Sequence, residues 1–150
     1  MKTPKRIIGR SDVADFPDLN LLAVPVKVDT GAYTSALHTH DVREERLPDG
    51  TTRVVFRLLD PAHPLYSDVD YFTADYERTT VRSSNGVAEE RFVIRTAIVL
   101  FGRAHRIRLS LSARGEMRFP VLLGRKFLKG RFVVDPSATD LSYAARTDAI

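Results

Sequence analysis

Asp29-Thr30-Gly31-Ala32 is the stretch whose residue types and spacing could do chemistry, because it sets a carboxylate at the end of a β-rich run, Val24, Val26 and Val28. Two carboxylates held close together cannot both ionise cheaply, so one pKa rises and the pair keeps one proton near working pH. Such a pair titrates as a unit. Its charged member takes a proton from an attacking water while its protonated member polarises the carbonyl under attack. That hydrolysis needs no metal and no covalent intermediate, so no cofactor is expected. The sequence holds no second Asp-Thr-Gly or Asp-Ser-Gly, which means the partner carboxylate must come from another copy of the chain. Gly31 suits a close turn that asks for positive φ. Thr30 offers a hydroxyl that could bond across a two-fold axis, and Ala32 keeps the neighbouring volume small. Asp-Thr-Gly is also a good surface turn, and four residues alone leave that reading open.

A second stretch, Phe119-Pro120-Val121-Leu122-Leu123-Gly124-Arg125-Lys126-Phe127-Leu128, reads as an apolar strand, a glycine and a short helix closed by Gly130. Two apolar residues followed by Gly-Arg, far downstream of Asp-Thr-Gly-Ala, form the pairing found in retroviral-type aspartic peptidases. The chain therefore resembles the retropepsin-like fold. Further residues carry the likeness: Ile8-Gly9-Arg10, Leu19, Lys27-Val28, Thr34-Ser35-Ala36-Leu37-His38, Arg82-Ser83-Ser84-Asn85-Gly86, Glu90-Arg91, Val93-Ile94, Arg114 and Met117. Together they are similar to a bacterial and archaeal family labelled ATP-dependent zinc protease, itself akin to retropepsins and associated with ATP-grasp glutamate ligases of the RimK type. The likeness spans about residues 5–136. It departs from the family at Ser11 to Phe16, which lacks an aromatic-rich, Trp-bearing stretch.

The resemblance implies an all-β, closed retropepsin-like (acid protease) barrel with one short C-terminal helix. It implies a homodimeric aspartic endopeptidase in which Asp29, Thr30 and Gly31 are catalytic. Substrate would be bound by Ala32, Arg125 and a β-hairpin flap. Two hairpins could serve as that flap: one turns at Pro48-Asp49-Gly50, the other at Arg82, Ser83, Ser84, Asn85 and Gly86. The second is favoured, since it matches the family motif and Asn-Gly is a strong hairpin turn; as a bland alternative its serines merely cap backbone groups. Two other readings of the residues stay open, a non-catalytic peptide-binding or dimerisation module and a metal-dependent peptidase.

The family label conflicts with the residues. None of the eight glycines opens a phosphate cradle of the form G-x-x-x-x-G-K-[ST], so ATP dependence has no visible support. For zinc, His38 and His40 share a strand face beside Asp41, while His63 and His105 are distant in sequence. No H-E-x-x-H and no cysteine accompanies them. The metal expectation is therefore none, with His38 and His40 as weak candidates: His38 more simply a partly buried hydrogen-bonding residue, His40 a solvated one.

A chain of 150 residues with 43% hydrophobic content is enough for one core. A single domain over 1–150 is expected, with a core of about 5–136 and a tail at 137–150. Strand runs are expected at Val24 to Val28, Ser35 to Val42, Thr52 to Leu59, Thr79 to Ser83, Arg91 to Leu100, Ala104 to Leu111 and Arg131 to Val134, with helix only around Arg125 to Lys129. An insertion is expected at Asp60 to Tyr76. The absence of cysteine excludes disulfides and thiol catalysis and suits a reducing compartment. No signal peptide or membrane span is readable, and the cytoplasm is the default.

The formal net charge is +4. Arg103, Arg106 and Arg108 on one strand, with Arg91, Arg95, Arg114, Arg118 and Arg125, would line a groove suited to acidic peptides. With the ligase association, this points to glutamate-rich or glutamyl-extended protein tails as substrate. A solvated face is the simpler account of most of these arginines. No basic run interleaved with aromatics argues for nucleic acid, and Asp68, Asp70, Asp75 and Glu77 lack the spacing of a calcium loop.

Overall fold

Alternately buried residues, as at Asp12, Ala14 and Phe16 and at Val24, Val26 and Val28, turn one face of the sheet inward. The computed structural model describes residues 4–59, 66, 68–82, 86–112 and 119–148, leaving the side chains of Val81, Arg82, Thr147 and Asp148 undescribed. The strands are β1 (Arg6–Ile8), β2 (Ser11–Phe16), β3 (Leu21–Val28), β4 (Ser35–Arg46), β5 (Thr52–Leu58), β6 (Asp70–Thr73), β7 (Tyr76–Arg82), β8 (Ala88–Leu100), β9 (Arg103–Ser112), β10 (Val121–Leu123) and β11 (Phe132–Val134). Among the described residues two helices follow late in the chain, α1 (Arg125–Leu128) and α2 (Leu141–Asp148), and a 3-10 turn spans Pro17–Leu19. The all-β expectation holds.

The strand order β10-β3-β2-β8-β9-β4 returns on itself because β10 also pairs with β4, so six strands form a ring. Within it β10 runs parallel to β3 and antiparallel to β4, and β9 runs parallel to β4. β3 places Val24, Val26 and Val28 inward, β9 contributes Ile107, Leu109 and Leu111, and β8 adds Ile94, Ile98 and Leu100. These meet Phe16, Leu37, Phe56 and Leu123 in one apolar cluster. Burying side chains of this size stabilises by roughly 1.5–3 kcal/mol each before entropy is counted.

Outside the ring, β7 pairs along β8, while β5 and β6 extend the far half of β4. β6 lies within the stretch expected as an insertion. A separate two-stranded parallel sheet joins β1 to β11, with Ile7 opposite Val133. Among the described residues no helix is long and apolar enough to cross a membrane.

Four elements differ from what the sequence suggests: β1, β2, β6 and α2. β2 is hidden because its inward positions are Asp12, Ala14 and Phe16, so a charge interrupts the hydrophobic alternation. That carboxylate accepts the backbone N–H of Ser142 at 2.9 Å and of Tyr143 at 3.1 Å, the first turn of α2, whose free N–H groups need such partners. Burial pushes the Asp12 carboxyl above its ordinary 3.8, against the N–H groups of Ser142, Val13 and Tyr143, which pull it down. Residues 141–148 thus form a helix packed on β2 where a tail is expected.

Candidate active site

β3 ends in the carboxylate. The Asp29 N–H donates to the Leu123 carbonyl at 2.9 Å, which continues the β3–β10 ladder one residue past the strand and fixes where the loop begins. The Ala32 N–H then closes the turn on the Asp29 carbonyl at 3.2 Å. Gly31 donates its N–H to Asp29 Oδ1 at 3.0 Å, an Asx-type bond that orients the carboxylate.

Gly31 is needed for a reason other than the one expected from sequence. Its φ is not in the left-handed region; instead a Cβ there would lie 3.2 Å from Asp29 Oδ1. A larger residue there would have to displace the Asp29 carboxylate by a few tenths of an ångström, so close approach rather than turn handedness is what favours glycine.

The other wall of the loop comes from the end of β10. The N–H of Arg125 donates to the Ala32 carbonyl at 2.8 Å and that of Lys126 to the Tyr33 carbonyl at 3.0 Å. These are the first amides of α1, which have no partner inside their own helix. Gly124 donates to Ser35 Oγ at 3.0 Å. A Cβ on Gly124 would stand 2.6 Å from the Thr34 carbonyl oxygen and 2.9 Å from that of Ala32, so only glycine lets the two segments cross.

Arg125 completes the clamp. Its Nη1 donates to the Thr30 carbonyl at 2.9 Å, and its guanidinium stands 5.8 Å from the Tyr33 ring centre. Asp29 is half-buried, with Thr30, Gly31 and Arg125 exposed beside it; no ion pair neutralises Asp29 among the described residues. The structure therefore brings together Asp29, Thr30, Gly31, Ala32 and Arg125.

The hairpin residues are less fully described. β7 and β8 do form a hairpin, pairing Arg82 with Ala88, and Gly86 has a φ of 82°. Ser83, Ser84 and Asn85 lie outside the described residues, as does the Arg82 side chain. The rival hairpin turns at Leu47 to Thr51, with Gly50 bonded to the Leu47 carbonyl at 2.9 Å.

His38 is buried, its N–H on the Pro120 carbonyl at 2.8 Å. His40 is not a solvated residue: its Nδ1–H donates to the Leu59 carbonyl at 2.8 Å and its ring stacks on Tyr66. Among the described residues no three His, Cys, Asp or Glu side chains are grouped to hold a metal. Of the arginines expected to line a groove, Arg95 and Arg108 face Glu77, and Arg95 and Arg106 face Asp75.

Sequence reasoning overlooked Ser35 and Gly124 as the residues that hold the loop to β10. The signal was present as a small hydroxyl residue opening the strand after the loop and a glycine closing the later apolar run.

Residues 7–144 match the family model RimB-like, described as the retropepsin-like aspartic endopeptidase RimB. The chain belongs to the RimB-like family. Like this domain, part of several curated proteins named probable alpha-L-glutamate ligase is similar: 34% identity over 141 residues in Shewanella pealeana, covering 91% of this chain and 30% of that protein. The Desulfotalea psychrophila protein is 35% identical over 137 residues, covering 89% and 28%. The chain thus spans under a third of the length of the curated relatives it matches. A crystal structure of a Legionella pneumophila protein of unknown function shares the fold, with a TM-score of 0.67, 25% identity, and coverage of 93% of this chain and 99% of that one.

Proposed function

We propose that this RimB-like domain is one half of a homodimeric aspartic endopeptidase of the cytoplasm, with Asp29 from each copy forming the catalytic pair. The observation that carries this reading is the single Asp29 carboxylate, oriented by the Gly31 N–H on a loop pinned to β10 through Leu123. In the pair, the ionised Asp29 accepts a proton from water while the protonated one donates a hydrogen bond to the scissile carbonyl. Sharing one proton follows from the repulsion of two carboxylates at short range.

A second copy has apolar surface to cover. Ile7 and Val133 sit opposite each other in the β1–β11 sheet, 52% and 51% exposed, with Tyr33 at 60%. Tyr33 also lines an open depression with Thr30, Arg125 and Phe132. Docking there would place one Asp29 loop against the other, with the Thr30 hydroxyl at the two-fold axis. The β7–β8 hairpin, including Arg82 to Gly86, would close over an extended peptide.

The substrate we propose is a glutamate-rich or glutamyl-extended protein tail. Relatives named for glutamate ligation carry a region similar to this domain, and an endopeptidase would undo the peptide bonds that a ligase makes. Arg125, exposed at the loop, is the guanidinium we assign to an acidic side chain.

Cleavage of a glutamate-extended protein tests this, with a neutral tail of equal length as comparison. The wild type is expected to cut the acidic tail faster, to sediment as a dimer and to ignore a chelator. Asp29→Asn should lower the rate by about 10²–10⁴-fold, the range for a lost acid–base group. An active monomer, or an Asp29→Asn variant as fast as wild type, overturns the proposal. Chelator-sensitive activity would assign the chemistry to a metal.

A further inference from the structure

Behind the loop, on the side of Ser35 and α1, lies a cavity of about 330 Å³. This is within the range of roughly 300–1,000 Å³ for small-molecule sites. Val93, Ile107 and Phe127 are buried and supply its apolar inner lining, while basic side chains from β9 and α1 to Arg131 form its exposed rim.

Two observations give this cavity a chemical preference. Ser110 lines it and is only 6% exposed, and its Oγ has no hydrogen-bond partner among the described residues. Buried hydroxyls are almost always satisfied, and leaving one unsatisfied is unfavourable. The second is charge. Arg106 and Arg108 at the rim already face Asp75 and Glu77. Lys126 and Arg131, by contrast, have no carboxylate within ion-pair reach among the described residues, and Arg131 is spread over the Phe127 ring at 5.0 Å with Nη1 on the Phe127 carbonyl. The neighbouring His105 imidazole is held below its ordinary 6.5 by burial and then by Arg131 and Arg103, which marks the local field as positive.

We propose that this cavity binds a small amphipathic carboxylate: an apolar body against Val93, Ile107 and Phe127 and an anionic end at Lys126 and Arg131, with Ser110 in the wall beneath. The cavity is not lined by Asp29, although Thr34 and Ser35, which follow its loop, do line it. It does not depend on hydrolysis.

Titration of the purified protein with hexanoate, hexanol and hexylammonium, followed by calorimetry and by amide NMR shifts, tests it. Hexanoate should bind at least about tenfold more tightly than either analogue and shift the amides of Ile107, Ser110 and Phe127. Lys126→Glu and Arg131→Gln should each weaken hexanoate about tenfold, and Asp29→Asn not at all. Equal affinity for all three probes, or hexanoate binding untouched by both rim variants, overturns the proposal. Loss of binding in Asp29→Asn would move the carboxylate site to the catalytic loop and overturn it equally.

Discussion

The crossing of β3, β4 and β10 and the outer sheet of β4, β5 and β6 are held in opposite ways. At the crossing, backbone N–H groups meet backbone carbonyls, a serine hydroxyl takes the Gly124 amide, and a missing Cβ makes room. In the outer sheet, guanidinium groups meet carboxylates on an exposed face: Arg57 with Asp68 at 2.6 Å and Asp70 at 3.0 Å, and Arg53 with Glu45 at 2.9 Å. Backbone bonds in a buried crossing have one geometry. Exposed ion pairs have many, and water and salt compete for each. The region that carries the Asp29 loop is therefore built almost without charge.

Substitution can break this contrast. The largest effect is expected from Gly124→Ala, whose Cβ would stand 2.6 Å from the Thr34 carbonyl oxygen; since neither backbone can easily retreat, unfolding free energy should fall by about 3 kcal/mol, as overpacking does. Denaturant melts measure it, and a loss near zero would mean the crossing is looser than its distances.

Asp12 is the informative intermediate, a buried charge whose partners are N–H groups. Asp12→Ala should remove about 2 kcal/mol, because the Ser142 and Tyr143 amides lose their acceptor. Amide exchange should show α2 opening first.

A smaller effect separates burial from pairing through pH. Burial, then Arg131 and Arg103, lower the His105 pKa below 6.5 in the folded state, so the unfolded chain takes up the proton first. The stability that His105 contributes is complete above pH 6.5 and is lost as pH falls through that value towards the depressed one. Urea midpoints across this window should decline in the wild type and flatten in His105→Gln. The smallest change belongs to Arg57→Gln: its denaturation midpoint should match wild type once salt is raised. A large loss there would erase the contrast between the two regions.

How much of this was legible in the letters depended on range. Val24, Val26 and Val28 leading to Asp29, and Val121 to Leu123 leading to Gly124, are local patterns, so the loop and its supporting strand could both be found. Gly31 was assigned for handedness when it serves close approach, because one letter answers both needs. β2 and α2 stayed hidden because Asp12 makes sense only through amides 130 residues away. The arginines of β8 and β9 looked free for a substrate, yet Arg95 and Arg108, directly opposite each other, need Glu77 between them to relieve like-charge repulsion. No spacing along one strand reveals that.

One strand sets a schedule for the whole molecule. Because the Asp29 amide bonds to Leu123 and the Ala32 and Tyr33 carbonyls to Arg125 and Lys126, a chain still being synthesised cannot complete the loop until residues 123–126 have emerged. Non-local closure of this kind slows folding. On the proposed function, an unfinished polypeptide carries an Asp29 whose loop is not yet pinned, and a deletion reaching into β10 should abolish cleavage even though every residue from 29 to 32 remains.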